Sequence, residues 1–428
     1  MNRQLVIKQH MVSIVFLWLI ALTIICSRWT QELIPYPLSF ARFFTICIYL
    51  PFVLLIALKV IHDIKSKALF RGKTNLLYYS FIFYYAIVSV HRFFAHEEFQ
   101  ESAYYFVVFI GAVGFLLMLI NNSFIIEQQV LAGSIFVCSL SLIIYRVVFL
   151  FIGFKHYTHP PININILVAV ELLLVISYLF FLYKGDIRNK KECSGILILS
   201  SITILIAGSR AGFCLFVLVV GVVLLVCFRN NKDAFKQIVL VLLASVVFTS
   251  ALFVFDVEYV RNSVLREMWG MNHLIASYDN DGETEAIVQS QNEQIDRSDG
   301  GRVELIQMGI GEIKENPLFG TGDVLYEQRV GGITVNQSSH CFIIEFLVSY
   351  GLIGTLLGFC LLGRIAYVLF KRIPKRLVAF ALLTGGTYFS FATVQPLFFN
   401  PLVISVFVIA MSCYYVGNIS PSNSYSQS

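Results

Sequence analysis

Charge is too scarce along this chain for it to fold as a soluble domain. Only 13% of its 428 residues are Asp, Glu, Lys or Arg, while 57% are hydrophobic. A surface of that composition has little with which to face water. Also missing are a small-residue cleavage site before Arg28-Trp29 and any lipidation motif, so the basic start (Arg3, Lys8) and the first apolar run read as a retained helix. All nine cysteines (Cys26, Cys47, Cys138, Cys193, Cys214, Cys227, Cys341, Cys360, Cys413) lie in or beside apolar runs, so no disulfide holds the polar part of the chain together.

In place of charge the chain has apolar length. Runs of about 20 residues, enough to cross a bilayer as helices, fall near 11–27, 40–61, 74–90, 103–120, 129–153, 163–183, 194–208, 212–228, 238–255, 341–370, 377–393 and 400–418. The expected fold is an all-α integral membrane protein of about twelve transmembrane helices, with one large external loop between the ninth and tenth. It divides into 1–193 (helices 1–6), 194–255 (helices 7–9), 256–339 (external loop with short helices) and 340–428 (helices 10–12 and a short tail). The formal charge of +5 says little about nucleic acid, and none is expected as a partner.

Where the charges fall is more informative than how many there are. Residues 256–339 hold 15 of the 26 acidic residues and 6 of the 31 basic ones. With the N-terminus inside, the short loops on its side collect Lys65, Lys67, Arg71, Lys73, Lys184, Arg188, Lys190, Lys191, Arg229, Lys232, Lys236, Lys371, Arg372, Lys375 and Arg376, as the positive-inside tendency requires. An even number of crossings returns the C-terminus to the cytoplasm and leaves the acidic island outside. Within the island, Val260, Val264, Met268, Met271 and Ile275 predict an amphipathic helix over 258–276. Residues 277–300 read as a mobile acidic stretch. Val303, Ile306, Ile310 and Ile313 predict a second helix, with Ser298 or Asp299 as cap and Asn316-Pro317 as stop. Leu318 to Asp323 reads as a turn, and Ser339 as the cap of a long helix that His340 opens.

Three residues carry the chemical argument. Arg210 lies in Gly208-Ser209-Arg210-Ala211-Gly212, the hinge after the seventh run, on the face where the charge rule disfavours a cation. It is either an interfacial arginine reaching for water or the partner of an anionic headgroup held by paired hydrogen bonds, which the flanking glycines would let approach. Arg302 opens the second island helix. His340, at the island's end, can serve as a base or donor near neutral pH. Gly320-Thr321-Gly322 is a turn, since the strand, lysine and helix of a phosphate loop are missing. Gly351, Gly354 and Gly358 are spaced for close helix contact. Arg146 and Glu171 sit inside apolar runs at similar depth, where an ion pair between them is expected, one that either braces the bundle or lines a substrate groove.

The order of these features is not anonymous. A Ser-Arg hinge after the seventh run precedes Gly301-Arg302-Val303-Glu304-Leu305. That leads through Glu315-Asn316-Pro317-Leu318-Phe319-Gly320-Thr321-Gly322 to Ser339-His340, and ten residues later comes Gly351-Leu-Ile-Gly354. The series resembles the O-antigen ligase and O-antigen polymerase family over residues 194–370, departing from it at Cys341, where the family commonly has a small polar residue. The resemblance implies a GT-C-like, inverting glycosyltransferase of the inner membrane, working on polyprenyl-diphosphate-linked glycans at the outer leaflet. His340, Arg210 and Arg302 would be catalytic, with Ser209, Arg329, Arg146 and Glu171 binding substrate. No pair of carboxylates at metal-binding spacing flanks these residues, so no metal is expected, nor any cofactor, and a chain-length regulator is a candidate partner. Polymerisation of lipid-linked repeats is favoured, because one kind of lipid then fills both donor and acceptor sites. Ligation to lipid A-core is the alternative. A transporter or flippase is less well supported, since no inverted repeat stands out.

Overall fold

A computed structural model describes residues 5–6, 9–25, 37–95, 100–121, 124–148, 164–185, 188–205, 209–254, 302–321, 325–330, 333–338, 341–394 and 400–416. The first six helices are α1 (Gln9–Ile25), α2 (Leu38–Lys65), α3 (Lys73–Ala95), α4 (Gln100–Ile120), α5 (Gln128–Val148) and α6 (Ile164–Lys184). After them come α7 (Lys190–Leu205), α8 (Arg210–Asn230), α9 (Lys232–Val254) and α10 (Arg302–Glu315). The chain then forms strands β3 (Leu325–Val330) and β4 (Ile333–Ser338) and helices α11 (Phe342–Arg372), α12 (Val378–Val394) and α13 (Pro401–Val416). Two-residue strands β1 (Leu5–Val6) and β2 (Phe124–Ile125) pair in parallel near the start.

Among the described residues each apolar run read from the sequence lies mainly on a helix. Among the described residues seven helices are long and apolar enough to cross a membrane, and α1 and α13 are apolar but shorter. The hydrophobic centre is α6, buried along nearly all its length and packed by α5, α7, α8, α9, α12 and α13. In contrast α2, α8 and α9 turn Leu54, Leu225, Phe228, Leu240, Val247 and Phe248 outward, the pattern of helices whose solvent is lipid.

Backbone groups freed by irregular residues are met from neighbouring helices. Pro51 inside α2 removes the N–H that would bond the Cys47 carbonyl, and the Trp18 indole of α1 donates there at 3.1 Å. At the basic end of α11, the Arg372 guanidinium donates to the Ile120 carbonyl and to the Tyr415 hydroxyl, tying α4, α11 and α13 together.

The chain is not purely helical. Between the turn at 318–321 and α11, β3 and β4 pair antiparallel, with Val330 opposite Ile333 and Arg329 opposite Thr334. The signal was a run of Val330, Gly331, Gly332, Ile333, Thr334 and Val335, where β-branched residues flank a two-glycine junction suited to a tight hairpin. The long helix also opens later than expected, at Phe342 with Cys341 as N-cap. The predicted helix over 258–276, the acidic stretch 277–300, and Ser298, Asp299, Ser339 and His340 lie outside the described residues.

Candidate functional site

The hinge after α7 is built by a side-chain cap. Ser209 is buried in an extended conformation, and its hydroxyl accepts from the Gly212 amide at 3.2 Å, satisfying one of the donors that a helix start leaves open. Arg210 is therefore the first residue of α8, beside a cluster of N–H groups that favours negative charge. The expectation that Gly212 keeps the backbone open to a headgroup needs correction. A Cβ there would collide with the Val168 side chain of α6, so the missing side chain serves close helix packing.

One turn further along α6 from Val168 lies Glu171. Its carboxylate receives the Arg146 guanidinium of α5 at 2.9 Å, and the same guanidinium reaches the Thr203 carbonyl of α7 at 3.4 Å. The pair read from the sequence thus exists and links three helices. Glu171 is 1% exposed and Arg146 7%, and a charge so deep persists only because its partner is beside it. Ser200, Ser201 and Thr203 add buried hydroxyls on α7.

The second part of the site is α10 seated on α11. The predicted helix of 303–313 is present and begins at Arg302. Leu305 is buried against Val348, with Met308, Ile313 and Ile344 packed around them. The segment carrying Arg302 is therefore joined to the first half of the helix that follows His340. Arg210 is connected by a different route, since α8 packs on α6 and α12, and α12 on α11. Arg329 is a β3 residue.

Two residues escaped the sequence reading. Glu345 is buried in the first turn of α11, five positions after His340; an acidic residue directly after an apolar run begins was the available signal. Tyr84 of α3 donates its hydroxyl to the Tyr350 carbonyl at 2.5 Å, a contact that no local pattern announces. Among the described residues no three His, Cys, Asp or Glu side chains converge.

The three glycines of α11 have two different roles. A Cβ on Gly354 would strike the Tyr84 ring, and one on Gly358 would lie 3.0 Å from Phe346, so these two serve close packing as expected. Gly351 does not sit in a continuous helix. Its φ of 63° and ψ of −174° break α11, and the turn after α10 docks against the break.

Residues 195–359 match the family model described as O-antigen ligase. No protein of curated function matches the chain. The matched region contains Ser209, Arg210, Arg302, Arg329 and His340, whereas Arg146 and Glu171 lie before it.

Proposed function

Taking as premise a chain that carries an O-antigen ligase family region over residues 195–359, we propose that it is a surface-polysaccharide polymerase. It joins polyprenyl-diphosphate-linked repeat units on the outer face of the inner membrane, crossing that membrane twelve times with both termini inside. The observation that carries this reading is the order inside the matched region: a capped arginine hinge, then an arginine-led helix seated on the helix that follows His340.

The chemistry follows from the groups. An acceptor hydroxyl attacks the anomeric carbon from the face opposite the diphosphate, so the configuration inverts. The sugar–oxygen bond breaks with its electron pair, which leaves on the diphosphate. Arg210 and Arg302 meet that growing charge with forked donors at a low-dielectric boundary, and the start of α8 adds its N–H groups. His340 takes the proton of the attacking hydroxyl. Ser209 caps the hinge, the Arg146–Glu171 pair one turn along α6 from Val168 holds the donor end of the site in shape, and Arg329 extends the positive lining. With arginine supplying the positive charge, the reaction needs no divalent ion.

The test is purified protein in liposomes with a synthetic polyprenyl-diphosphate-linked repeat. A ladder of products growing by whole repeats, undiminished by chelator, is the expected outcome. Transfer of glycan only when lipid A-core is supplied would replace this reading with ligation. Loss of the ladder in chelator, restored by a divalent ion, would overturn the metal-free assignment.

A further inference from the structure

The break in α11 is engaged on both sides by groups from outside the helix. In an unbroken helix the Val348 carbonyl would accept from Leu352, and the Ser349 carbonyl from Ile353. Here Leu352 donates to the Pro317 carbonyl at 2.9 Å and Ile353 to the Leu318 carbonyl at 3.3 Å, while Val348 accepts from the Thr321 amide at 2.6 Å. The Thr321 hydroxyl lies 3.3 Å from the same carbonyl. Two residues on, the Tyr350 carbonyl accepts from the Tyr84 hydroxyl of α3. In a helix apolar enough to cross a membrane, an interruption is tolerated where the freed backbone groups find partners within the protein.

Two glycines face each other across the joint. Gly320 has φ of 70° and Gly351 φ of 63°, a region that side chains disfavour. A Cβ on Gly320 would collide with the Val348 carbonyl and the Gly351 amide, and a Cβ on Gly351 with the Leu318 carbonyl and the Gly320 amide. The two positions therefore exclude side chains for one shared reason. A continuous helix would satisfy the same backbone groups unaided, so stability alone does not call for the break. What the break adds is independence. The first half of α11 can be aimed separately from the second, and the groups it frees are bonded to the segment that starts at Arg302. Because Val348, Tyr350, Leu352 and Ile353 are all tied, the junction is a fixed joint and not a loose hinge.

We propose that the Gly320–Gly351 joint, with Tyr84 as its third anchor, is the positioning device of the transfer site: it locks the Arg302 helix to the start of α11 and so sets both against the reacting groups. The joint acts through Arg302 and the chain around His340 without touching substrate, and the inference rests on the polymerase reading given above.

Kinetics in the liposome assay test it. Gly320→Ala and Gly351→Ala each lower kcat by about 100-fold, the scale of a misplacement near 1 Å, while KM for the lipid-linked donor changes by no more than about two-fold. The double variant is no slower than either single, since one clash already opens the joint. Tyr84→Phe keeps its ring and lowers kcat about five-fold, the worth of one hydrogen bond. Leu356→Ala, on the exposed face of the same helix, keeps the wild-type rate. A raised KM with unchanged kcat, or losses that multiply in the double variant, overturns the inference. If the glycine variants fail to fold by size-exclusion chromatography, Tyr84→Phe decides, and a normal kcat overturns it. Wild-type protein that makes no polymer in either acceptor format overturns the functional reading and this inference with it. Wild-type polymer alongside variants of normal rate overturns this inference alone.

Discussion

A guanidinium at the start of a helix and a guanidinium at the start of another are the residues on which the proposed chemistry turns. Replacing Arg210 or Arg302 by Ala abolishes polymer while leaving membrane protein levels unchanged, and Lys at either position restores little, because a point charge cannot reproduce the paired donors. Polymer yield in a strain complemented with each variant reads this directly; full yield from Arg210→Ala would remove it from the site. For His340 the sign is fixed by the role of base. Only the neutral ring accepts a proton, so the rate falls as pH drops through the imidazole range. In His340→Ala the rate is lower by about 100-fold or more and that acidic limb disappears from the pH profile. The buried Arg146–Glu171 pair behaves differently again. Glu171→Ala strands a buried cation and costs about 3–5 kcal/mol, whereas Arg146→Met combined with Glu171→Leu recovers most of the loss. Thermal unfolding in micelles distinguishes these outcomes, and equal damage from the single and double variants would argue that the charges serve more than each other.

At the scale of elements, the start of α8 owes its place to a side chain it lacks. The Val168 side chain occupies the space of a Gly212 Cβ, so Gly212→Ala destabilises the protein by about 1–3 kcal/mol through overpacking. Val168→Ala made in the same chain returns most of that stability, a size exchange that unfolding midpoints can measure. Failure of the exchange would mean that the glycine is needed for backbone conformation instead. The hairpin β3–β4 and the helix α10 bracket the turn that meets α11, so the polar segment before α11 is hydrogen-bonded to the backbone of the helix break.

At the scale of the whole molecule, the asymmetry of charge is what the proposed orientation rests on. If the acidic island faces outward as proposed, a membrane-impermeant maleimide labels Ser290→Cys in intact spheroplasts and labels Ser66→Cys, exposed between α2 and α3, only after lysis. The reverse pattern would invert the topology and place the arginine hinge on the wrong side for an outer-leaflet donor.

The sequence alone determined the class of this protein, the positions of its apolar helices and the order of its candidate residues. Hydrophobic length, loop charge and the succession Ser209-Arg210, Arg302, His340 and Gly351 are properties of neighbours along the chain. The helix opening at Arg302 was legible for the same reason, from Val303, Ile306, Ile310 and Ile313 at helical spacing. Even the Arg146–Glu171 pair could be read, because two opposite charges at equal depth in an apolar medium have few other partners. The tertiary structure decided what depends on backbone meeting backbone at long range. Gly320 and Gly351 look like an ordinary turn and an ordinary packing glycine until the carbonyls of Pro317 and Leu318 are seen to replace those of α11. Tyr84, 266 positions from Tyr350, carries no local mark of its role. Hydrogen bonds of this kind leave no periodicity in the side chains, so only the folded chain shows where the helix is cut and what holds the cut in place.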